Sequence, residues 1–108
     1  MLQDKKCAPC RGGVAPYTVQ EIGSKLQEIP GWSLSSDKPL RLSREFRFKD
    51  FAAALAFVNR VGALAEAEGH HPNIVLHDWN RVTLELYTHK IRGLHENDFI
   101  MAAKINSL

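Results

Sequence analysis

Residues 73–88 read NIVLHDWNRVTLELYT, and this stretch decides the fold. It contains two runs rich in strand-forming residues, Asn73 to Asp78 and Arg81 to Thr88, separated by two residues. Runs of this kind with so short a connection are typical of a β-hairpin. The second run alternates apolar and polar side chains, which predicts one buried and one exposed face. The side chains expected to point inward are Val82, Leu84 and Leu86.

The hairpin also sets the positions of the histidines, because all five lie within residues 70–95. With a tight turn at Trp79 and Asn80, paired residues have numbers that add up to 159. That register puts His89 opposite His70 at one open end of the sheet. A shift of one residue would separate the two side chains.

Three helices are predicted around this hairpin. The first begins after Thr18, whose side chain can form a capping box with Glu21. The longest begins after the capping residue Asp50 and runs to about Glu68. A final helix covers roughly Glu96 to Ser107. The apolar face of the longest helix is expected to consist of Phe51, Leu55, Val58 and Ala65.

Two further strands are predicted between the first and second helices, at Trp32 to Leu34 and at Leu40 to Phe48. Arg44 falls on the apolar parity of the longer strand, which predicts a bulge or an edge position there. The element order α-β-β-α-β-β-α predicts an α+β fold. We expect a four-stranded antiparallel sheet with three helices packed on one face.

The chain of 108 residues is long enough for one domain with a single core. We divide it into a flexible leader, residues 1–17, and one domain, residues 18–108. The net charge of +2 lies in residues 1–16, and a neutral body argues against binding to nucleic acid. No apolar run approaches the roughly 20 residues of a membrane span, and no secretory signal is visible. We therefore expect a cytoplasmic protein with no membrane contact.

Both cysteines, Cys7 and Cys10, lie in the leader as Cys-Ala-Pro-Cys. A single pair lacks the second ligand pair of a structural zinc site. A thioredoxin-like motif would follow a strand and open a helix. We expect no metal or redox chemistry here, and an N-terminal metal module is the alternative.

The histidines are the candidate catalytic groups. Two neighbouring imidazoles can act as acid and base near neutral pH without a cofactor. Zinc is the competing interpretation, but Pro72 favours an extended backbone at His71. Consecutive residues in an extended backbone point to opposite sides, so His70 and His71 make poor joint ligands. Acid–base catalysis by His70, His71 and His89 is therefore favoured, and no metal is expected.

Three segments carry a resemblance to a known family. They are Glu66-Ala67-Glu68-Gly69-His70-His71-Pro72, Tyr87-Thr88-His89 and Gly93-Leu94-His95-Glu96-Asn97-Asp98-Phe99. Over about residues 18–107 the chain resembles pterin-4a-carbinolamine dehydratase. The resemblance implies the same α+β fold and a pterin substrate. It also implies loss of water from 4a-hydroxytetrahydropterin to give quinonoid dihydropterin, without a metal or other cofactor.

The same resemblance implies the site residues. The catalytic histidines of the family match His70, His71 and His89. Glu66, on the adjoining helix turn, is a further candidate contact. The full set of expected substrate contacts is His70, His71, Pro72, Thr88, His89, Lys90, Ile91 and Glu66.

Two departures from the family concern the surroundings of these residues. Many relatives carry Thr or Ser where this chain has His95, so the last helix is expected to lose its usual cap and Asp98 a capping partner. Gly69 stands where some relatives carry Asp, which removes a carboxylate that could act on His70.

The resemblance also implies partners. The family recycles the pterin cofactor of aromatic amino acid hydroxylases, so such a hydroxylase is a candidate partner in the same pathway. Relatives form dimers or dimers of dimers. Some relatives act as dimerisation cofactors of transcription factors or as assembly factors, so a non-catalytic binding module on the same fold is the alternative function.

The residues themselves point to self-association as well. An open sheet exposes two edges, and Arg81 to Thr88 as an edge strand would pair with its copy in a homodimer with an eight-stranded sheet. Ile100 and Met101 have no evident core to enter, and they are expected to form the contact of a homotetramer.

Overall fold

The computed structural model describes residues 1–8, 14–35 and 38–108. These residues form three α-helices and four strands in the predicted order, which confirms the α+β fold. No helix among them is both long and apolar enough to cross a membrane. Cys10 lies outside the described residues, as do Ser36 and Asp37 before the second predicted strand. The elements are α1 Val19–Leu26, β1 Ser33–Leu34, β2 Leu42–Arg47, α2 Phe51–Glu68, β3 Asn73–His77, β4 Arg81–Leu86 and α3 Glu96–Asn106.

Local sequence signals fix the start of α1 and both ends of α2 as predicted. The Glu21 N–H donates to the Thr18 hydroxyl, and the Thr18 N–H donates to the Glu21 carboxylate. The Asp50 carboxylate accepts a hydrogen bond of 2.7 Å from the Ala53 N–H in the first turn of α2. Gly69 ends α2 in the left-handed conformation, with a φ of 67° that glycine adopts without strain.

The strand β4 lies in the interior of the sheet. The strand order is β1-β2-β4-β3, and every neighbouring pair is antiparallel. The prediction that Arg81 to Thr88 is an edge strand is wrong, because β2 and β3 use the main-chain groups of β4 from both sides. An eight-stranded sheet formed through β4 is therefore excluded, and β3 is the longer edge of the described sheet.

The hairpin register differs by one residue from the predicted one. Paired residues of β3 and β4 have numbers that add up to 158. The connection is longer than predicted, because Asp78 and Trp79 both adopt positive φ, 47° and 55°, and the Asn80 N–H donates to the Asp78 carbonyl. Extended past the end of the ladder, this register puts Thr88 opposite His70.

The helices cover the face of the sheet on which Val82, Leu84 and Leu86 are fully buried, as predicted. The predicted face of α2 is partly wrong, since Phe51 and Leu55 are 50% and 43% exposed. The helix carries two apolar stripes at helical spacing. The stripe that contains Phe57 faces the sheet, where the Phe57 ring packs on the rings of Phe46 and Phe48. The buried residues of α2 are Ala54, Phe57, Val61 and Ala65.

The helix α3 is the most deeply buried helix of the described chain. Ile100 and Met101 are 1% and 0% exposed. The prediction that these two residues form a tetramer contact is therefore wrong. The sheet, α2 and the N-terminal 3₁₀ turn, Leu2–Asp4, all pack against α3 and cover several of its faces at once.

Arg44 lies in a regular ladder opposite Leu84, so the predicted bulge is not present in β2. Arg44 does lie at an edge on the β1 side of β2, because β1 pairs only with the two residues before Arg44. The Arg44 guanidinium donates to the Pro30 carbonyl at 3.2 Å and to the Asn106 side chain. These contacts satisfy a charged group on the apolar parity of the strand.

The N-terminal segment, residues 1–8, makes contacts that the sequence did not predict. Leu2 is 7% exposed and belongs to the core. The Cys7 N–H donates to the Glu68 carboxylate on α2 at 2.9 Å. The boundary between leader and domain at residue 17 stays a prediction, but this segment has to be counted among the groups that stabilise the fold.

Candidate active site

One end of the sheet collects the site residues predicted from the sequence. The strand β3 begins there and β4 ends there, so residues 70–72 lie beside residues 87–89. A bridge between Thr88 and Gly93 brings the start of α3 to the same end. The site is therefore built from three chain segments that are distant in sequence.

His70 is held by a buried carboxylate. Its Nε2 lies 2.7 Å from Asp98 Oδ1, and the two side chains are 6% and 0% exposed. A carboxylate can only accept hydrogen bonds, so the proton of this contact lies on Nε2. The other ring nitrogen, Nδ1, is then the one that can accept a proton. The pair fixes both the orientation and the tautomer of His70.

Two further donors fix Asp98 in turn. Its Oδ2 accepts from the Thr88 hydroxyl at 2.8 Å and from the His95 N–H at 3.0 Å. A buried carboxylate needs such donors because it has lost its hydration. The expectation that Asp98 loses its partner at His95 is wrong, since the contact uses the main chain, which any residue other than proline supplies. Thr88, expected to contact substrate, directs its hydroxyl to Asp98.

His71 lies on the exposed side of the same segment. Its side chain is 60% exposed, and its Nε2 is hydrogen-bonded to the Glu66 carboxylate on α2. Successive residues of an extended backbone point to opposite sides, which explains why His70 is buried while His71 is not. The structure therefore joins two of the residues expected at the site, His71 and Glu66.

His89 opens a 3₁₀ turn, His89–Ile91, and is exposed. The predicted pairing of His89 with His70 is wrong, because the register differs by one residue and Thr88 takes that place. The His89 ring packs on Tyr87 with centroids 4.2 Å apart. The Arg41 guanidinium lies over the Tyr87 ring, 5.0 Å from its centroid. His89 is thus held by ring packing at the same end of the sheet.

The loop that carries His89 is closed at its base. Thr88 and Gly93 exchange main-chain hydrogen bonds of 2.8 and 3.4 Å. A Cβ atom on Gly93 would lie 2.7 Å from the Cβ of Pro16, so this close approach requires glycine. The remaining expected contacts, whose roles stay predictions, are Pro72, Lys90 and Ile91.

The other two histidines have separate surroundings. His77 contacts Asp78 and Thr83 at 2.8 Å each, at the hairpin turn and so at the far end of the sheet. The hydrogen bond from His77 lowers the pKa of the Asp78 carboxyl. The His95 ring packs on Tyr17 with centroids 4.5 Å apart. Both arrangements are typical of structural histidines.

Cys7 lies in surroundings that keep its thiol protonated. Burial, followed by the nearby charge of Glu68, raises the pKa of the Cys7 thiol to about 12. The Cys7 N–H in turn lowers the pKa of the Glu68 carboxyl. A protonated thiol is a weak nucleophile and a weak metal ligand. Within the described ranges, no group of three His, Cys, Asp or Glu side chains is arranged to hold a metal ion.

Sequence reasoning missed Asp98 as a member of the site and treated it only as a capping residue. One available signal is its place directly before the apolar run FIMAA, residues 99–103. A charged residue that begins a buried run is rarely left without a partner. The buried His70–Asp98 pair lies at the same end of the sheet as the exposed His71 and His89, and imidazoles are groups that can exchange protons near neutral pH.

The family model described as Pterin 4 alpha carbinolamine dehydratase matches residues 15–108. The chain therefore belongs to the pterin-4a-carbinolamine dehydratase family. The names of the family and of the relatives indicate a dehydratase, that is, a hydro-lyase.

Similar bacterial proteins extend the match to the whole chain. One from Syntrophotalea carbinolica is 53% identical over 108 residues, covering 99% of this chain and 96% of the relative. One from Halorhodospira halophila is 50% identical over 107 residues, covering 99% and 96%. Both carry the name "Putative pterin-4-alpha-carbinolamine dehydratase".

Two solved structures are also similar. A transcriptional coactivator/pterin dehydratase from Brucella melitensis superposes with a TM-score of 0.78 at 34% identity, over 85% of this chain and 96% of that chain. A pterin dehydratase-like protein described as a RuBisCO assembly factor in the alpha-carboxysome gives a TM-score of 0.61 at 26% identity, over 74% and 90%.

Proposed function

We propose that this protein removes water from a 4a-hydroxytetrahydropterin and releases the quinonoid dihydropterin. The observation that carries the proposal is the buried His70–Asp98 pair, whose nitrogen and oxygen lie 2.7 Å apart. This pair prepares one imidazole nitrogen for proton transfer at the end of the sheet that also carries His71 and His89. Membership of the family supports the choice of a pterin as the substrate.

The proposed reaction needs two proton transfers. A proton reaches the C4a hydroxyl, the C4a–O bond breaks, and water leaves. The N5 lone pair forms the C4a=N5 double bond, and the proton on N5 passes to a base. One proton is delivered and one is removed, so an acid and a base that exchange roles are sufficient.

We assign the two proton transfers to His70 and His89. His70 contributes a fixed tautomer, and His89 is exposed at the same end of the sheet, where it can meet a bound substrate. His71, held by Glu66, orients the substrate in this proposal. Asp98 and the Thr88 hydroxyl are positioning groups, since they act through His70.

No metal or other cofactor is needed in this proposal, because imidazoles carry both proton transfers. The reaction would recycle the pterin cofactor of aromatic amino acid hydroxylases, and the expected cytoplasmic location stays a prediction. We further propose that the protein is a homodimer or homotetramer. The exposed edge β3, where Val75 is 50% exposed, is the strand through which two copies would pair.

A second candidate function is a binding module. The two structural relatives support it, because one is described as a transcriptional coactivator and the other as an assembly factor. The buried pair of His70 and Asp98 favours catalysis over this alternative. A binding surface alone gains nothing from a buried ionisable pair, whose desolvation carries a cost.

A dehydratase assay tests the proposal. The carbinolamine is generated enzymatically, and formation of the quinonoid product is followed by ultraviolet absorbance with and without the protein. We expect the rate to rise above the spontaneous rate in proportion to protein concentration. The variant His77→Ala, altered at the far end of the sheet, should be as active as the wild type. A rate that stays at the spontaneous value would leave the binding module as the function.

A further inference from the structure

A cavity of about 320 Å³ lies at the same end of the sheet as the histidines, lined by Lys38, Pro39 and Arg92. The segment before β2 reaches this end because Leu42, the first residue of β2, pairs with the last residue of β4. The Arg92 N–H donates to the His89 carbonyl at 3.2 Å. One wall of the cavity is therefore bonded directly to the main chain of a candidate catalytic residue.

The described residues that line this cavity carry two positive charges, those of Lys38 and Arg92. Lys38 and Arg92 are both exposed, and neither forms an ion pair with a carboxylate in the part of the chain that the structure describes. Arg92 lies in a loop, residues 88–93, that contains no acidic residue. The exposed Lys38 and Arg92 side chains can each offer a positive charge to a ligand in the cavity.

The main chain holds Arg92 in a fixed place. Its φ and ψ are 51° and 49°, a left-handed conformation that side chains other than glycine rarely adopt. The closed base of the loop, formed by Thr88 and Gly93, maintains this conformation. A backbone conformation of this kind, kept in an ordered loop, is found more often at functional positions than elsewhere.

These features define the chemistry of the ligand. A guanidinium offers paired donors that match phosphate or carboxylate, and a nearby ammonium adds a second charge. The volume is near the lower limit of roughly 300–1,000 Å³ for organic ligand sites, so the cavity can hold a substituent of a larger ligand. We propose that Lys38 and Arg92 bind an anionic group on the side chain of the pterin whose ring reacts at the histidines.

This inference rests on the proposed function and narrows its substrate class. The test compares two carbinolamines with the same ring, one with a neutral dihydroxyalkyl side chain and one with the phosphate ester of that side chain. We expect the wild type to show a KM about tenfold lower for the phosphorylated substrate, the order expected of two contacts between exposed charges. The ratio of the two KM values should fall by about threefold in Lys38→Gln and in Arg92→Gln. In the double variant the two KM values should be equal.

A matched control is Lys49→Gln, an exposed lysine just after β2 at the other end of the sheet, which should retain the preference. Equal KM values in the wild type, or a preference that survives the double variant, would overturn the proposal. If Arg92→Gln does not fold, Lys38→Gln decides the outcome alone.

A binding measurement separates this proposal from the proposed reaction. Calorimetry with the unreactive, fully oxidised forms of both pterins reports the preference even if neither carbinolamine is dehydrated. Inorganic phosphate distinguishes a side-chain site from a site for a free anion. If inorganic phosphate weakens the binding of the phosphorylated pterin alone, the proposal is supported. If it weakens the binding of both pterins equally, the proposal is contradicted.

Discussion

Replacement of Asp98 by asparagine should reverse the tautomer of His70. The Oδ2 atom accepts from the His95 main-chain N–H, which can only donate, so the amide oxygen of asparagine has to occupy that position. The amide NH₂ group then takes the place of Oδ1 and faces His70 Nε2, now 2.7 Å from the carboxylate. His70 can accept this hydrogen bond only if its own proton moves to Nδ1.

The expected losses follow from these contacts. In this variant the buried hydrogen bond to His70 is no longer made by a charged carboxylate. Hydrogen bonds to charged groups contribute about 1.5–3 kcal/mol. We therefore expect the free energy of unfolding to fall by about 2 kcal/mol. Proton transfer by a positioned group contributes about 10²–10⁴ to the rate. Because the uncatalysed dehydration is fairly easy, we expect kcat to fall by about 10², with little change in KM.

Stopped-flow absorbance measures kcat, and ¹⁵N NMR of the histidine side chains reports the tautomer of His70. Asp78→Asn is the matched control, because Asp78 also contacts an imidazole but lies at the far end of the sheet. If Asp98→Asn reverses the tautomer and kcat stays within about twofold of the wild type, His70 Nδ1 is not the atom that accepts a proton in the reaction.

Three other predictions concern stability and assembly. Leu2→Ala should lower the free energy of unfolding by about 2 kcal/mol, because it removes a core contact of the N-terminal segment. Thermal denaturation should then show a melting temperature lower by about 10 °C, and an unchanged value would mean that the segment does not dock. The folded-state pKa of Glu68 is lowered from 4.5, so its contribution is full above about pH 4.5 and is lost as the pH falls through the lower folded value. Glu68→Gln should therefore lower the urea midpoint at pH 7, and this loss should shrink as the pH falls below about 4.5. A loss that is the same at every pH would contradict this. Light scattering at micromolar concentration should give at least twice the chain mass of 12.2 kDa, and Val75→Lys on the edge β3 should shift it towards the monomer, whereas a monomeric wild type would disprove self-association.

The parts of the fold that depend on neighbouring residues could be predicted from the sequence. Thr18 and Asp50 cap their helices through residues three positions away, and Gly69 ends α2 because it adopts positive φ. The alternation in β4 identifies its buried face, since the period of two belongs to the strand itself. These signals were enough to establish the order of the elements.

Features that depend on tertiary structure could not be predicted in this way. The hairpin register changes by one residue because Asp78 and Trp79 adopt positive φ, which their side chains permit but do not require. The burial of Asp98 depends on α3 lying against the sheet end, and its role follows only from its contact with His70. The two apolar stripes of α2 are equivalent until the aromatic residues of β2 and its neighbour select one of them.

The single-turnover rate of carbinolamine dehydration in three variants tests the central claim most directly. His89→Ala removes an exposed imidazole, and His70→Gln removes the other while keeping an N–H donor for Asp98, so both should fold. The account predicts acceleration by the wild type and by His77→Ala, and a loss of about 10² in His89→Ala and in His70→Gln. Wild-type rates in both of the latter variants would contradict catalysis by these histidines.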